Sequence, residues 1–138
     1  MGDHGLDRFV AAQGGIYGQA LAELRRGRKE SHWMWFVFPQ IAGLGHSDMS
    51  RRYAIESLRE ARGYLAHDVL GPRLAECTDA VLAHTGTPAE RIFGSVDAAK
   101  FRSSMTLFEA AGGEDRYVRA CDQFFRGERD PATLELIA

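Results

Sequence analysis

Six residues with useful chemistry crowd the stretch from Lys29 to Gly45: Lys29, Ser31, His32, Trp33, Trp35 and Gln40. An imidazole titrates near neutral pH, an ammonium group holds negative charge, an indole offers a flat face, and an amide both donates and accepts hydrogen bonds. Together they supply the parts of a site for a flat, partly anionic small molecule, such as a nucleotide-like or ADP-ribose-like compound. If that site is hydrolytic, His32 is the candidate general acid or base, and a lysine stabilises developing negative charge. Lys100 joins the candidates because it and Lys29 are the only lysines among 17 lysines and arginines, and an ammonium and a guanidinium do different chemistry. The plainer reading makes Trp33, Trp35, Phe36 and Phe38 core anchors, Ser31 an N-cap and His32 the partner of a buried carbonyl, since large aromatics usually serve packing first. The alternative function is a non-enzymatic protein-interaction module, with the aromatic segment mainly structural or forming the docking surface.

The elements that must hold these residues read as helices almost throughout. Leu6, Phe9, Val10 and Gln13 mark a short helix broken at Gly14-Gly15, and Ile16, Ala20, Leu21 and Leu24 form the next apolar stripe. That second helix ends in a basic run in which Gly27 can take the left-handed cap conformation. Trp33 to Phe38 has strand-like composition but no partner strand, so it is expected to be a helical turn or irregular segment docked among helices. Gly43 to Asp48 could point backbone amides at an anion, or be an ordinary loop and N-cap. Ser47 or Asp48 is expected to cap one helix carrying Tyr53, Ile55, Leu58, Ala61 and Leu65, with a break near His67. Leu70, Leu74, Cys77 and Val81 share the face of another. Thr87-Pro88-Ala89-Glu90 has the form of a capping box. Ser95 can cap the helix whose apolar face is Ala98, Phe101, Met105 and Phe108, with Lys100, Ser103, Ser104 and Leu107 beside it. Tyr117, Val118, Cys121, Phe124 and Phe125 define one more, and Asp130-Pro131 opens a last short helix. The expected fold is all-α, a single domain over 1–138 built as an irregular orthogonal bundle of about seven to nine helices.

Composition removes several classes of function. With 138 residues, 45% hydrophobic and 26% charged, the chain can bury a core as one domain. A net charge of −2 argues against nucleic-acid binding driven by bulk charge. Gly-x-Gly-x-x-Gly, Walker-type, His-Glu-x-x-His and Gly-x-Ser-x-Gly motifs are all missing from the sequence. Its five histidines lack the spacing that would place two on one metal. No cofactor and no metal is therefore expected. Cys77 and Cys121 form no Cys-x-x-Cys pair, which suits a reducing cytoplasm. The residues from Met1 carry neither an export signal nor, with Leu6 where Ser or Thr is required, a myristoylation signal. The longest apolar run, Trp33 to Phe38, is far below the roughly 18 residues of a membrane span, so no membrane partner is expected.

The order Lys29-x-Ser-His-Trp-Met-Trp-Phe-x-Phe-Pro-Gln-x-x-Gly-Leu-Gly, then Tyr53-Ala-Ile, Glu60-Ala-x-x-Tyr-Leu, Leu70-Gly-x-Arg-Leu and Lys100-x-x-Ser-Ser-Met-Thr-Leu-Phe, resembles the bacterial family catalogued as domain of unknown function 1810. The resemblance runs from about Leu6 to about Leu136. It implies a wholly helical compact fold and brings no established activity. Gly14-Gly15 departs from the Asp-Pro or similar pair that members often carry at that break. Some relatives are labelled calpastatin-like, yet calpastatin's inhibitory segments are repeated and disordered, whereas this chain has no repeat and enough apolar surface for a core. A fainter likeness, through Phe9-x-Ala-Ala-Gln13 and Ala99-Lys100-Phe101, is to glycosidases acting on ADP-ribose adducts.

Overall fold

The computed structural model describes residues 4–138, so the expectation placed on Met1 to Asp3 lies outside the described residues. After a 3-10 turn at His4–Leu6 come ten α-helices: α1 Asp7–Gln13, α2 Tyr17–Arg26, α3 Met34–Val37, α4 Asp48–Arg52, α5 Leu58–Ala66, α6 Leu70–Leu82, α7 Ala89–Phe93, α8 Ser95–Ala110, α9 Asp115–Phe125 and α10 Pro131–Ile137. The all-α expectation therefore holds, with three helices of five residues or fewer.

Helix α8 is the axis on which the others pack, with α5, α7, α9 and α10 against it. Its residues Ser103 to Phe108 are all buried, so no face of that stretch is solvated. Phe101 meets Phe93 and Phe38 at ring separations of 4.8 and 5.0 Å. Two turns on, Phe108 meets Tyr64 at 5.3 Å and Tyr117 at 6.0 Å. Stacked, tilted and edge-to-face aromatic contacts add to area burial, so these two clusters tie α5, α7, α9 and the residue that ends α3 to one helix. Cys77 and Cys121 lie in this core as free thiols, and burial raises both above the ordinary thiol pKa, Cys77 to about 12.

Local signals set most boundaries. Gly27 (φ +75°) ends α2 with hydrogen bonds from Arg28 N–H to Glu23 O and from Gly27 N–H to Leu24 O, the two bonds of a Schellman motif. Asp130 caps α10 through the Thr133 N–H, with Pro131 in the first turn. Three readings need correction. The helix expected from Ser47 to Leu65 is two, because Tyr53, Ala54 and Ile55 leave the helix and all three are buried. Ile55 N–H donates to Gln40 O and Ala42 N–H donates to Ile55 O, both at 2.8 Å, making an isolated parallel bridge between Ile41 and Ile55. The capping box at Thr87 does not form, and Pro88, not Thr87, flanks α7. Gly94, not Ser95, flanks α8; beside its apolar face, Ser103 and Ser104 are themselves buried, Ser103 donating to Asp130 and Ser104 Oγ lying without a partner among the described residues.

The corner between α5 and α6 yields a paired test. A methyl at Gly71 would enter the Leu65 carbonyl oxygen, whereas one at exposed Gly18 in α2 meets nothing within 4 Å. Gly71→Ala is expected to cost about 3 kcal/mol in urea unfolding, through forced backbone movement. Gly18→Ala is expected to gain about 0.5 kcal/mol from reduced unfolded-state entropy. Equal effects from the two would refute this account of the corner.

Candidate functional site

The aromatic segment is anchored by a residue that the sequence reading did not select. Glu23, 2% exposed on α2, lies one turn before the Gly27 reversal, which brings the following loop back over it. Its Oε1 accepts from the N–H of Glu30 at 2.8 Å, the N–H of Ser31 at 3.0 Å and the indole N–H of Trp33 at 2.9 Å. Its Oε2 accepts from the Ser31 hydroxyl at 2.5 Å and the Gln19 amide at 3.1 Å. Burial alone would raise this carboxyl, but the bonds from Ser31, Glu30 and Trp33 outweigh it and hold its pKa at about 2. Ser31 is thus a donor to Glu23 and not an N-cap, while Trp33 is 0% exposed and belongs to the core.

From Trp33 the chain enters the single turn α3. A helix this short leaves carbonyls unsatisfied, and the buried Gln13 amide donates to Phe36 O at 2.7 Å. Trp35, two residues from Trp33, is half-buried, and its indole faces a cleft of about 190 Å³. Gln40 to Gly45 form one wall and Ser50, Arg51, Tyr53, Ala54 and Glu56 the other, joined by the Ile41 to Ile55 bridge. Gly43 (φ +105°) turns the first wall and lies against Leu136 of α10. Ser47 caps α4 through the Ser50 N–H, so this loop follows the ordinary N-cap reading.

Both lysines converge on one carboxylate beside this segment. Lys29 Nζ lies 2.8 Å from Asp97 Oδ2, donates to Ser31 O at 2.6 Å, and sits 5.1 Å from the Trp33 ring centroid. Lys100 Nζ lies 3.3 Å from Asp97 Oδ1 and 4.7 Å from the Trp35 ring centroid. The Lys29 side chain is 8% exposed and that of Lys100 22%. Cations over indole faces are attracted to the ring quadrupole, so each ammonium fixes one tryptophan as well as one carboxylate oxygen.

The seven candidates therefore divide. Trp35 and Gln40 line the cleft, and Lys100 does not line it but rests over the ring of Trp35. Lys29, Ser31 and Trp33 build the buried frame behind it. His32 is exposed and does not line the cleft. Glu23, Asp97, Arg51 and Glu56 were not selected from sequence. Glu23 carried a signal, because it lies three residues after Ala20 and next to Leu24, on the apolar stripe of α2. Two further clefts, of about 300 Å³ beside Leu65 and Tyr117 and about 220 Å³ beside His67 and Asp68, lie away from this segment. Among the described residues no group of three or more His, Cys, Asp and Glu could hold a metal ion, and no helix is long and apolar enough to cross a membrane.

The fold and site together define an all-helical protein whose aromatic segment is pinned by an internal carboxylate and opens on one side into a small cleft. The chain belongs to the family described as protein of unknown function (DUF1810), which matches residues 3–137. It is similar to the conserved hypothetical protein Rv1873 from Mycobacterium tuberculosis, whose crystal structure shares 49% identity and a TM-score of 0.94 over 96% of this chain and 95% of that one. No functionally curated protein matches the chain.

The Glu23 carboxyl sets an acid limit on stability. Its folded-state pKa of about 2 lies below the ordinary 4.5, so the ionised group contributes full stability above about pH 4.5 and loses it as pH falls towards 2. Glu23→Gln keeps the shape and one acceptor oxygen but not the charge. Urea midpoints at pH 3 and pH 6 should differ less for Glu23→Gln than for the parent protein, with a loss of about 1–3 kcal/mol at pH 6. An unchanged difference between the two pH values would rule out Glu23 as the source.

Proposed function

We propose that this protein binds a small planar heterocycle of the kind found in nucleotides, in the cleft walled by Trp35 and Gln40. The observation that carries the reading is the unequal treatment of two neighbouring indoles. Trp33 is sealed in the core with its N–H spent on Glu23, whereas Trp35 keeps an exposed part on the wall of a concave site. A flat ring beside an amide, with charged side chains at Arg51 and Glu56, suits stacking plus edge hydrogen bonding. The volume, about 190 Å³, is below the ~300–1,000 Å³ usual for ligand pockets, which favours one heterocyclic ring system over a whole dinucleotide.

Hydrolysis is not part of this reading. His32 does not line the cleft, and Glu56 is the one carboxylate among the lining residues. The interaction-module alternative receives less support, because among the described residues the large exposed apolar side chains are Val96, Leu134 and Leu136, none of them from the aromatic segment.

The test uses tryptophan emission. Trp33→Phe leaves Trp35 as the sole indole, and titration with adenine, guanine, cytosine and nicotinamide should give a saturable change for at least one of them. Trp35→Ala should abolish that binding at a smaller stability cost than the roughly 3–5 kcal/mol expected for Trp33→Ala. No saturable response from any of the four sinks the proposal.

A further inference from the structure

We infer that the heterocycle bound in the Trp35 cleft carries an anionic substituent, of the phosphomonoester class, and that Lys100 is the group that reads it; this rests on the cleft reading above. Two ammonium groups share the single carboxylate of Asp97, which leaves one positive charge uncompensated within the cluster. The two lysines are not equivalent. Lys29 has the shorter contact with Asp97, a second acceptor in Ser31 O, and a side chain nearly closed to solvent. Lys100 has the longer contact and a more open side chain, and Asp97 is its one hydrogen-bonding or ionic contact among the described residues. An ammonium carries three N–H donors, so Lys100 has donors to spare where Lys29 is committed.

Position makes the surplus useful. Lys100 does not itself line the cleft, but its ammonium rests over the ring of Trp35, which does, and its side chain is 22% exposed, so turning that one flexible side chain about the indole brings it toward an anion attached to a ring stacked at Trp35. Lys29 would retain Asp97 while Lys100 turned to the ligand, and Asp97 with Lys29 would act in positioning only. The proximity of the Trp35 face lowers the exposure of that ammonium to water, which strengthens its attraction for a phosphate relative to a fully solvated lysine.

The experiment compares adenosine with adenosine monophosphate, and nicotinamide riboside with its mononucleotide, in the Trp33→Phe background at low salt. Each binding monophosphate is expected to bind at least tenfold more tightly than its nucleoside, with the advantage reduced by added salt. Lys100→Met should erase the advantage of the monophosphate over its nucleoside, whereas Arg51→Met should preserve it. Equal affinity of nucleoside and monophosphate overturns the inference while leaving the cleft reading intact. So does an advantage that survives Lys100→Met and is lost in Arg51→Met. Failure of all four compounds where adenine or nicotinamide itself binds overturns the inference alone, and failure of the four free bases as well overturns the cleft reading with it.

Discussion

A carboxylate taken out of water must be met by donors, and the way Glu23 is met organises the aromatic segment that follows it. Its acceptors fix the backbone at Glu30 and Ser31, the Ser31 hydroxyl and the Trp33 indole in one knot. That knot forms because the α2 helix ends in a left-handed glycine, which turns the chain back over the last turn. His84, just beyond the end of α6, closes the same corner, its Nε2 at 2.7 Å from Leu24 O and its ring against Gly27. A side chain at Gly27 would meet both an unfavourable backbone conformation and that ring. The direction in which Trp35 leaves the core is thus set several residues upstream, by a buried charge on a different helix.

The second organising contact is electrostatic and less deeply buried. Asp97, in the first turn of α8, favours the positive end of that helix and also receives both lysines. Through Lys29 it is joined to the loop that Glu23 holds, and through Lys100 to the indole at the cleft. Backbone bonding from Lys29 N–H to Ile92 O ties the loop to α7 as well. Frame and cleft therefore share one side of the bundle, near the start of its central helix.

Sequence made the helices legible where the controlling signal was local. Gly27, His67 and Asp130-Pro131 end or begin helices as expected, and Leu70, Leu74, Cys77 and Val81 are all buried. It failed where the control was distant. Tyr53 to Ser57 fits a helical spacing, yet Ile55 spends its backbone on Gln40 and Ala42, a partnership that no local window reveals. Thr87 has the right form for a cap, but the chain enters α7 one residue later. At the site, the chemical richness of Lys29 to Gln40 was visible while its division of labour was not. Whether an indole faces a core or a cleft depends on which buried acceptor claims its N–H, and here that acceptor lies ten residues away on another element.

The pairing of both lysines with Asp97 has a consequence for covalent chemistry. In a chain whose other strong cations are arginines, the only ε-amino groups are these two, and one is shut inside the fold. Reagents that acylate lysine side chains thus find a single accessible ε-amine in the native protein, and it rests over the indole that walls the cleft. The surface is, for lysine-directed modification, almost featureless except at one address.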